Sequence, residues 1–379
     1  MSRYHYLNNL GDLPHVQQLP AERRRRLESV ARRYRFRSNE YYQSLIDWSD
    51  PDDPIRRIVI PHESELQDWG ELDASGESAY IRAPGLEHKY RHTAILLVND
   101  ACGALCRFCF RKRLFMADNG EVSRDISPAL DYLAAHPQID NVLITGGDPL
   151  LLSTNRLKSI LDRLLAIPHL RMLRIGSKMA AFNPYRILDD PELLEMLAAA
   201  SQPERRLYFM AHFNHPRELA APAREAIRRL QAAGLVVLNQ TPLLRGVNDH
   251  PETLAELCRT LAALGVTPYY LFQCRPTTGN ASFAVPLEKG LQIFAAAQSR
   301  GSGLARRLRY VMSHHTGKIE ILGLDAGRTY LRYHRAARGA DEGRMLSFPR
   351  NPNAFWLDDY LSAGPGQAPR VAAHTGHPA

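Results

Sequence analysis

Short apolar or β-branched runs recur along the middle of the chain: "TAILLV" from Thr93, "NVLIT" from Asn141, "RMLRIG" from Arg171, "RRLYFM" from Arg205, "LVVLNQ" from Leu235 and "TPYYLFQC" from Thr267. Most are separated by segments of helical periodicity, among them "NRLKSILDRLLAI", "DPELLEMLAAA", "REAIRRLQAAG" and "HPETLAELCRTLAALG". Strands alternating with helices predict parallel βα units. Six such units build either an open doubly wound sheet or a barrel. A dinucleotide-binding open sheet carries a Gly-x-Gly-x-x-Gly turn after its first strand, whereas the first strand here runs into cysteines. After the sixth strand the pattern changes to closely spaced strands, "RRLRYVMS", "GKIEIL" and "RTYLRYHR", so a complete eight-unit barrel is not expected.

The predicted fold is therefore α/β: an incomplete (βα)6 TIM-like barrel over residues 91–300. A helical amino-terminal extension, 1–90, precedes it, and a small β-containing region, 301–362, follows. The Gly-, Pro- and Ala-rich tail, 363–379, is expected to be disordered.

At 379 residues, 45% hydrophobic and 23% charged, the chain can bury a full core. No apolar run reaches membrane-spanning length, and "MSRYHYLNNLGDLPHV" lacks the apolar centre of a signal peptide. The protein is expected in the cytoplasm, without a membrane partner. The net charge of +8 and a pI near 9.3 raise the question of nucleic acid. Much of the excess lies in "AERRRRLESVARRYRFR", where Leu27, Val30 and Tyr34 fall at helical spacing. That pattern reads as an amphipathic helix with a solvated basic face, and nucleic acid is not expected as a partner.

Three of the five cysteines fall inside "NDACGALCRFCFRKR". An odd number with three clustered argues against a disulfide framework and for metal binding or catalysis. Cys258 sits in a helical pattern as a small core residue, and Cys274 has no such ready explanation. Cys102, Cys106 and Cys109, spaced C-x3-C-x2-C, lie in the loop where the first strand ends, the end that lines ligand sites in parallel βα folds. Three thiolates can hold three irons of a cubane iron–sulfur cluster, leaving one iron open to a ligand. Zinc completed by His88 or His92 is the alternative. A single compact loop without a second ligand pair favours the cluster.

"CGALCRFC", with Phe108 before its third cysteine, resembles the signature of radical S-adenosylmethionine enzymes. That resemblance implies that the open iron chelates S-adenosylmethionine, whose reductive cleavage gives a 5′-deoxyadenosyl radical, and that a flavodoxin- or ferredoxin-type donor supplies the electron. "NVLITGGDPLL" adds Gly146, Gly147 and Asp148, similar to the superfamily motif that contacts the methionyl amino group. Glycines there let backbone approach a ligand closely.

The likeness is closer still to the lysine 2,3-aminomutase family. "YYQSLIDWSDPDDPIRRIVIP", "GLEHKY", "RIGSK", "AHFNHP", "LNQTPLLRGVND" and "PYYLFQC" resemble its motifs in order, from about Tyr41 to Leu322. The family resemblance implies pyridoxal phosphate as a further cofactor, held by Lys318 of "SHHTGKIEIL", with Lys89, Tyr90 and Lys178 contacting it. It also implies that Arg111 holds a substrate carboxylate and that Ser177, His212 and Gln240 line the adenosylmethionine pocket. The implied reaction is radical abstraction of a β-hydrogen from an amino acid bound to pyridoxal phosphate, migration of nitrogen from the α- to the β-carbon, and hydrogen return. A homo-oligomer is also implied.

The chain departs from the family at the substrate's distal end. Lysine-specific members place aspartates after the Gln-Cys pair and before the cofactor lysine. Here "FQCRPTTG" has Arg275, and "RYVMSHHTGK" has no acid. Arg275 in the pocket would repel a lysine ammonium and suit an acidic or neutral polar side chain. Two other function classes stay open on the sequence: a radical enzyme modifying a translation-factor lysine or RNA, and a non-enzymatic metal-binding module.

Overall fold

The computed structural model describes residues 5–116 and 120–362; the tail at 363–379 lies outside the described residues. One twelve-stranded sheet organises the chain. It opens with an antiparallel pair, β1 (Ile81–Ala83) and β2 (Leu86–Tyr90). Next come β3 (Thr93–Asn99), β4 (Asn141–Gly146), β5 (Met172–Ser177), β6 (Leu207–Ala211), β7 (Val236–Leu243), β8 (Thr267–Gln273) and β9 (Arg309–His314), in consecutive order and all parallel. The sheet closes with β10 (Gly317–Leu324), β11 (Arg328–Ala336) and β12 (Met345–Pro349), each antiparallel to its predecessor.

The parallel run thus counts seven strands, where the sequence pattern predicted six. The difference arises at "RRLRYVMS", which pairs parallel to β8 because a helix, Leu287–Ser299, carries the chain back across the sheet. The apolar pattern of that helix is interrupted by Gly290, whose absent side chain makes room for the Tyr310 ring: a Cβ there would sit 2.2 Å from its hydroxyl. The tenth and eleventh strands match the predicted runs, whereas β1, β2 and β12 carried no alternation strong enough to announce them.

Strand alternation sorts the two faces of the parallel run. Leu96, Val142, Ile144, Leu173, Ile175, Leu207, Phe209 and Val237 point outward into a core shared with the intervening helices. Those helices are α1 (Ser127–Ala135), α2 (Thr154–Leu165), α3 (Pro191–Ala200) and α4 (Ala221–Ala232) among others. Ser153 and Asp190 cap α2 and α3 by accepting hydrogen bonds from the backbone N–H groups of Arg156 and Leu193. The alternate residues, including Ile95, Leu143, Thr145, Arg174, Met210 and Gln240, face a cavity on the other side.

The amino-terminal extension packs a third apolar cluster, with Tyr42, Ile55, Ile58 and Val59, directly against Ala104, Phe108 and Cys106 of the cysteine loop. Its basic segment forms the expected amphipathic helix, Ala21–Arg33, with Leu27 and Val30 buried and Tyr34 buried beside its end. Among the described residues, no helix is long and apolar enough to cross a membrane.

Candidate active site

The cysteine loop leaves β3 and is tied down from the extension. Leu105 and Arg107 donate backbone hydrogen bonds to the carbonyls of Arg37 (2.9 Å) and Ile58 (2.8 Å), and the Asn39 amide donates to Gly103 O. The Arg107 side chain, 2% exposed, donates to both carboxylate oxygens of the fully buried Glu65 and to the carbonyls of Tyr34 and Arg35. This pair fixes the loop that presents the thiols. Cys102, Cys106 and Cys109 are free and all line a cavity of about 300 Å³.

At the tip of β4, Gly146 has φ +113°, a conformation open to glycine alone, and a Cβ on Gly147 would lie 2.3 Å from the Ala101 carbonyl oxygen. The Gly-Gly pair therefore lets the strand end pack against the start of the cysteine loop, where Asp148 N donates to Ala101 O at 2.8 Å. The Asp148 carboxylate accepts from the Ser177 hydroxyl, the Leu150 N–H and the Lys178 N–H, joining the tips of β4 and β5. Burial raises it to about 6 against these hydrogen bonds. The Lys178 ammonium is saturated by His212 O, Asn214 and Glu218, with the Glu218 contact at 2.6 Å. His212 beside it is held neutral, at about 3, by burial and by Lys178.

Lys318 stands near the start of β10 and reaches across the cavity to the Tyr270 ring, 4.0 Å from its centroid. Gly317 before it is required by space, since a Cβ would come within 2.4 Å of the Arg335 carbonyl oxygen. The Lys318 amine is pushed well below the usual lysine range, first by burial and then by Arg335, Arg174, Arg275 and Lys89. It makes no hydrogen bond or ion pair among the described residues. A buried amine whose charged form is disfavoured, ringed by cations, suits a nucleophile beside an anion site. Lys89 hydrogen-bonds His314 O and is itself lowered to about 7, mainly by burial. Tyr90 lies under the Arg335 guanidinium, 4.4 Å away.

Arg111 and Arg275 meet at Glu77, which also binds Arg113. Burial would raise the Glu77 carboxyl, but the three arginines hold it well below the usual carboxylate range. Arg275 faces inward, stacked 3.6 Å from the Phe110 centroid and 3.1 Å from Glu77. Glu87, 4% exposed, sits 3.6 Å from Arg111, and its Oε1 has no hydrogen-bond partner. Burial and the charge of Glu77 raise it to about 7.

The residues singled out from the sequence, namely Lys89, Tyr90, Cys102, Cys106, Cys109, Arg111, Gly146, Gly147, Asp148, Ser177, Lys178, His212, Gln240, Arg275 and Lys318, all line this one cavity. His88 and His92 do not. They hydrogen-bond Tyr132 and the carbonyls of Arg91 and Gln138 instead. Four charged lining residues were not evident from the sequence: Arg174, Arg335, Glu77 and Glu87. For the first, a signal existed, since a charge between Leu173 and Ile175 must face whatever the apolar face does not. Cys274 also reaches the cavity wall, and burial raises it to about 12, while Cys258 is core.

Among curated proteins, the chain is 55% identical over 355 residues to a "Putative L-lysine 2,3-aminomutase" of Aquifex aeolicus, covering 93% of this chain and 95% of that one. The chain belongs to the lysine 2,3-aminomutase family. It is 36% identical over 302 residues to the L-lysine 2,3-aminomutase of Fusobacterium nucleatum, covering 79% of this chain and 70% of the relative. It is 32% identical over 301 residues to the glutamate 2,3-aminomutase of Clostridioides difficile, with 79% and 70% covered. The macromolecule-modifying alternative is not favoured by these relatives. A radical SAM methyltransferase of Sphaerobacter thermophilus aligns over 60% of this chain and 68% of its own at 20% identity and a TM-score of 0.42, a likeness too slight to carry weight. No family model matches the chain.

Lysine 2,3-aminomutases are isomerases of the radical S-adenosylmethionine class that use a [4Fe-4S] cluster, S-adenosylmethionine and pyridoxal phosphate. The residues present fit these groups. Burial raises all three thiols, Cys106 beyond the usual range, so a metal cation is what would draw off their protons. A lone tetrahedral zinc, with Zn–S bonds of about 2.3 Å, would draw its sulfurs within roughly 4 Å of one another. Among the described residues, the potential ligands lying within 4.8 Å of one another are His314, His315 and Asp358, not the cysteines. The wider spacing suits a cluster with one cysteine per iron.

Proposed function

We propose that this aminomutase holds its cluster on Cys102, Cys106 and Cys109 and its pyridoxal phosphate on Lys318. The observation that carries the proposal is the opening of the three thiols and the buried Lys318 amine into one cavity. S-adenosylmethionine would be held by Gly146, Gly147 and the groups that Asp148 orients, Ser177 among them, together with His212 and Gln240. When bound, the cluster with S-adenosylmethionine would supply the radical, and pyridoxal phosphate a means of stabilising it. The chain's own residues bind, orient and exclude water.

Arg174 and Arg335 join Lys89 and Tyr90 as the phosphate's partners in this reading, because Lys178 already commits its three donors to His212, Asn214 and Glu218. Arg111 keeps one guanidinium nitrogen free for a substrate carboxylate, its Nε and other nitrogen being engaged by Glu77. An incomplete barrel is supported by the inner-face residues of strands from β2 to β11 converging on one cavity.

The balance of charge also bears on the substrate. Arg275 faces inward, as the sequence allowed, and shares Glu77 with Arg111 and Arg113, so its repulsion of a cationic side chain is reduced but not cancelled. Of the acids around these arginines, Asp73 and Glu121 lie on Arg113, Glu77 is shared by Arg111, Arg113 and Arg275, and Glu87 faces Arg111 alone. The open acceptor is Glu87 Oε1. An amino acid ending in an amine, such as lysine, would pair with that oxygen and favour its ionised form.

The test is anaerobic reconstitution with iron, sulfide and pyridoxal phosphate, then borohydride reduction, peptide mapping, and turnover of L-lysine and L-glutamate followed by carbon-13 NMR. Iron with sulfide, a pyridoxyl group on Lys318 and a β-amino product from lysine are expected. Zinc alone, or a pyridoxyl group elsewhere, overturns the site assignments. Turnover of glutamate but not lysine overturns the substrate assignment.

A further inference from the structure

A second hollow, of about 590 Å³, lies on the outer surface behind the cysteine loop. Arg32, Arg35, Arg37, Phe36, Phe115 and Cys102 form part of its lining. Cys102 and Phe115 also line the inner cavity, so at this place the wall between site and solvent is one side chain thick. Cys106 and Cys109 reach only the inner cavity, and Cys106 is packed against the apolar cluster of the extension. Of the three proposed ligands, Cys102 alone lines both the inner cavity and this hollow.

The rim carries more basic than acidic side chains. Arg32 and Arg35 are exposed. Neither they nor Arg37 belong to an ion pair among the described residues, and Arg37 Nε is buried without a hydrogen-bond partner while its guanidinium lies over Tyr6. Arg24, Arg25 and Arg33 continue the patch along the helix Ala21–Arg33. Glu28 and Asp100 interrupt the lining without balancing it. Three guanidiniums beside a thin wall, outnumbering the two acids of the lining and ion-paired to neither, are an uncompleted half of an ion-pair set.

The geometry points to this groove as the docking surface for an acidic, low-potential one-electron carrier protein that reduces the cluster through Cys102. The inference rests on the assignment of the cluster to the three cysteines. In the step itself the carrier loses one electron and the cluster gains it; no bond forms or breaks and no proton moves. Opposite charge brings the carrier in at a salt-dependent rate and orients it, while the thin wall at Cys102 keeps the transfer path short.

The experiment is the double charge reversal Arg32→Glu with Arg35→Glu in the cluster-loaded enzyme. Both side chains are exposed and neither touches the inner cavity. Cluster reduction is followed by stopped-flow absorbance with a purified acidic flavodoxin in its reduced form, and separately with photoreduced 5-deazaflavin, a small reductant that needs no docking surface. The variant should be reduced by the flavodoxin roughly tenfold or more slowly, with a flattened ionic-strength dependence, while its reduction by deazaflavin stays at the wild-type rate. An unchanged flavodoxin rate overturns the proposal, and so does an equal slowing with both reductants. Should a second copy of this chain cover the groove instead, the variant changes its sedimentation behaviour and keeps the flavodoxin rate. Absence of any reducible iron–sulfur chromophore in the wild type would mark failure of the cluster reading itself.

Discussion

Glu65→Gln removes one charge from the pair that fastens the cysteine loop to the extension. In the wild type, the Glu65 carboxylate accepts three hydrogen bonds from Arg107, at 2.8, 2.9 and 3.1 Å, and lies 3.8 Å from the Lys112 ammonium. Breaking a buried pair by neutralising one member typically costs about 3–5 kcal/mol, because the remaining charge stays buried. Here Arg107 keeps the carbonyls of Tyr34 and Arg35, so the lower end, about 3 kcal/mol, is expected. At about 1.4 kcal/mol per factor of ten, the loop should open roughly a hundredfold more often. Hydrogen exchange reads this directly: the amides of Leu105, Arg107 and Cys109, which bond Arg37, Ile58 and Cys106 carbonyls, should lose protection. The amide of Phe209 in β6 should not. Iron should also leave faster under a chelator. Unchanged exchange at the three loop amides, or an equal loss of protection at Phe209, would refute the view that Glu65 acts locally as the loop's anchor.

Three further outcomes are expected. Lys318→Ala should abolish the borohydride-fixed pyridoxyl adduct while leaving iron content intact, checked by peptide mass spectrometry and an iron assay. Gly147→Ala should displace the loop at Ala101, since its Cβ would sit 2.3 Å from a backbone oxygen. Iron loading should fall severalfold while the far-ultraviolet circular dichroism is retained. Glu87 titrates near 7 when folded, above its usual carboxylate value, so the folded protein holds a proton there that the unfolded chain has released. Its penalty is absent at acid pH, below the unfolded value, and fully present above the folded one. Urea denaturation of the apoprotein should therefore find Glu87→Gln gaining stability relative to wild type as pH rises from 5 to 8, and a gap that stays constant contradicts the assignment.

The chemistry was more legible than the architecture around it. The cysteine spacing and the Gly-Gly-Asp turn are local, and the strand-end rule placed both at one site without coordinates. Arg174 was readable in principle from the alternation of its strand. Glu77 and Glu87 were not, because each is brought to Arg111 by segments whose sequence carries neither helical nor strand periodicity strong enough to orient a side chain. The seventh parallel strand was missed for a related reason: Gly290 broke the apolar pattern of the helix leading to it, and its fitness depends on Tyr310, twenty residues on. Arg275 shows a different limit. Its sign was known from the sequence, but its partner Glu77, shared with Arg111 and Arg113, was not.

The electrostatics around Lys318 couple cofactor capture to the charge the lysine nitrogen can carry afterwards. Burial first, then Arg335, Arg174, Arg275 and Lys89, disfavour the charged amine and so favour the form able to attack a carbonyl. The same cations attract a phosphate dianion, and a dianion seated among them cancels much of their field. With it bound, burial and a weakened field would oppose positive charge at the lysine nitrogen, so a cationic nitrogen at that atom would cost less than it does beforehand. The arrangement thus favours a neutral nucleophile before capture and tolerates a charged nitrogen later, with no residue having to move. Replacing Arg174 or Arg335 with lysine would keep the charge but lose the planar fork, weakening phosphate orientation more than amine acidity. Their effect on Lys318 is through charge, whereas their grip on phosphate also depends on shape.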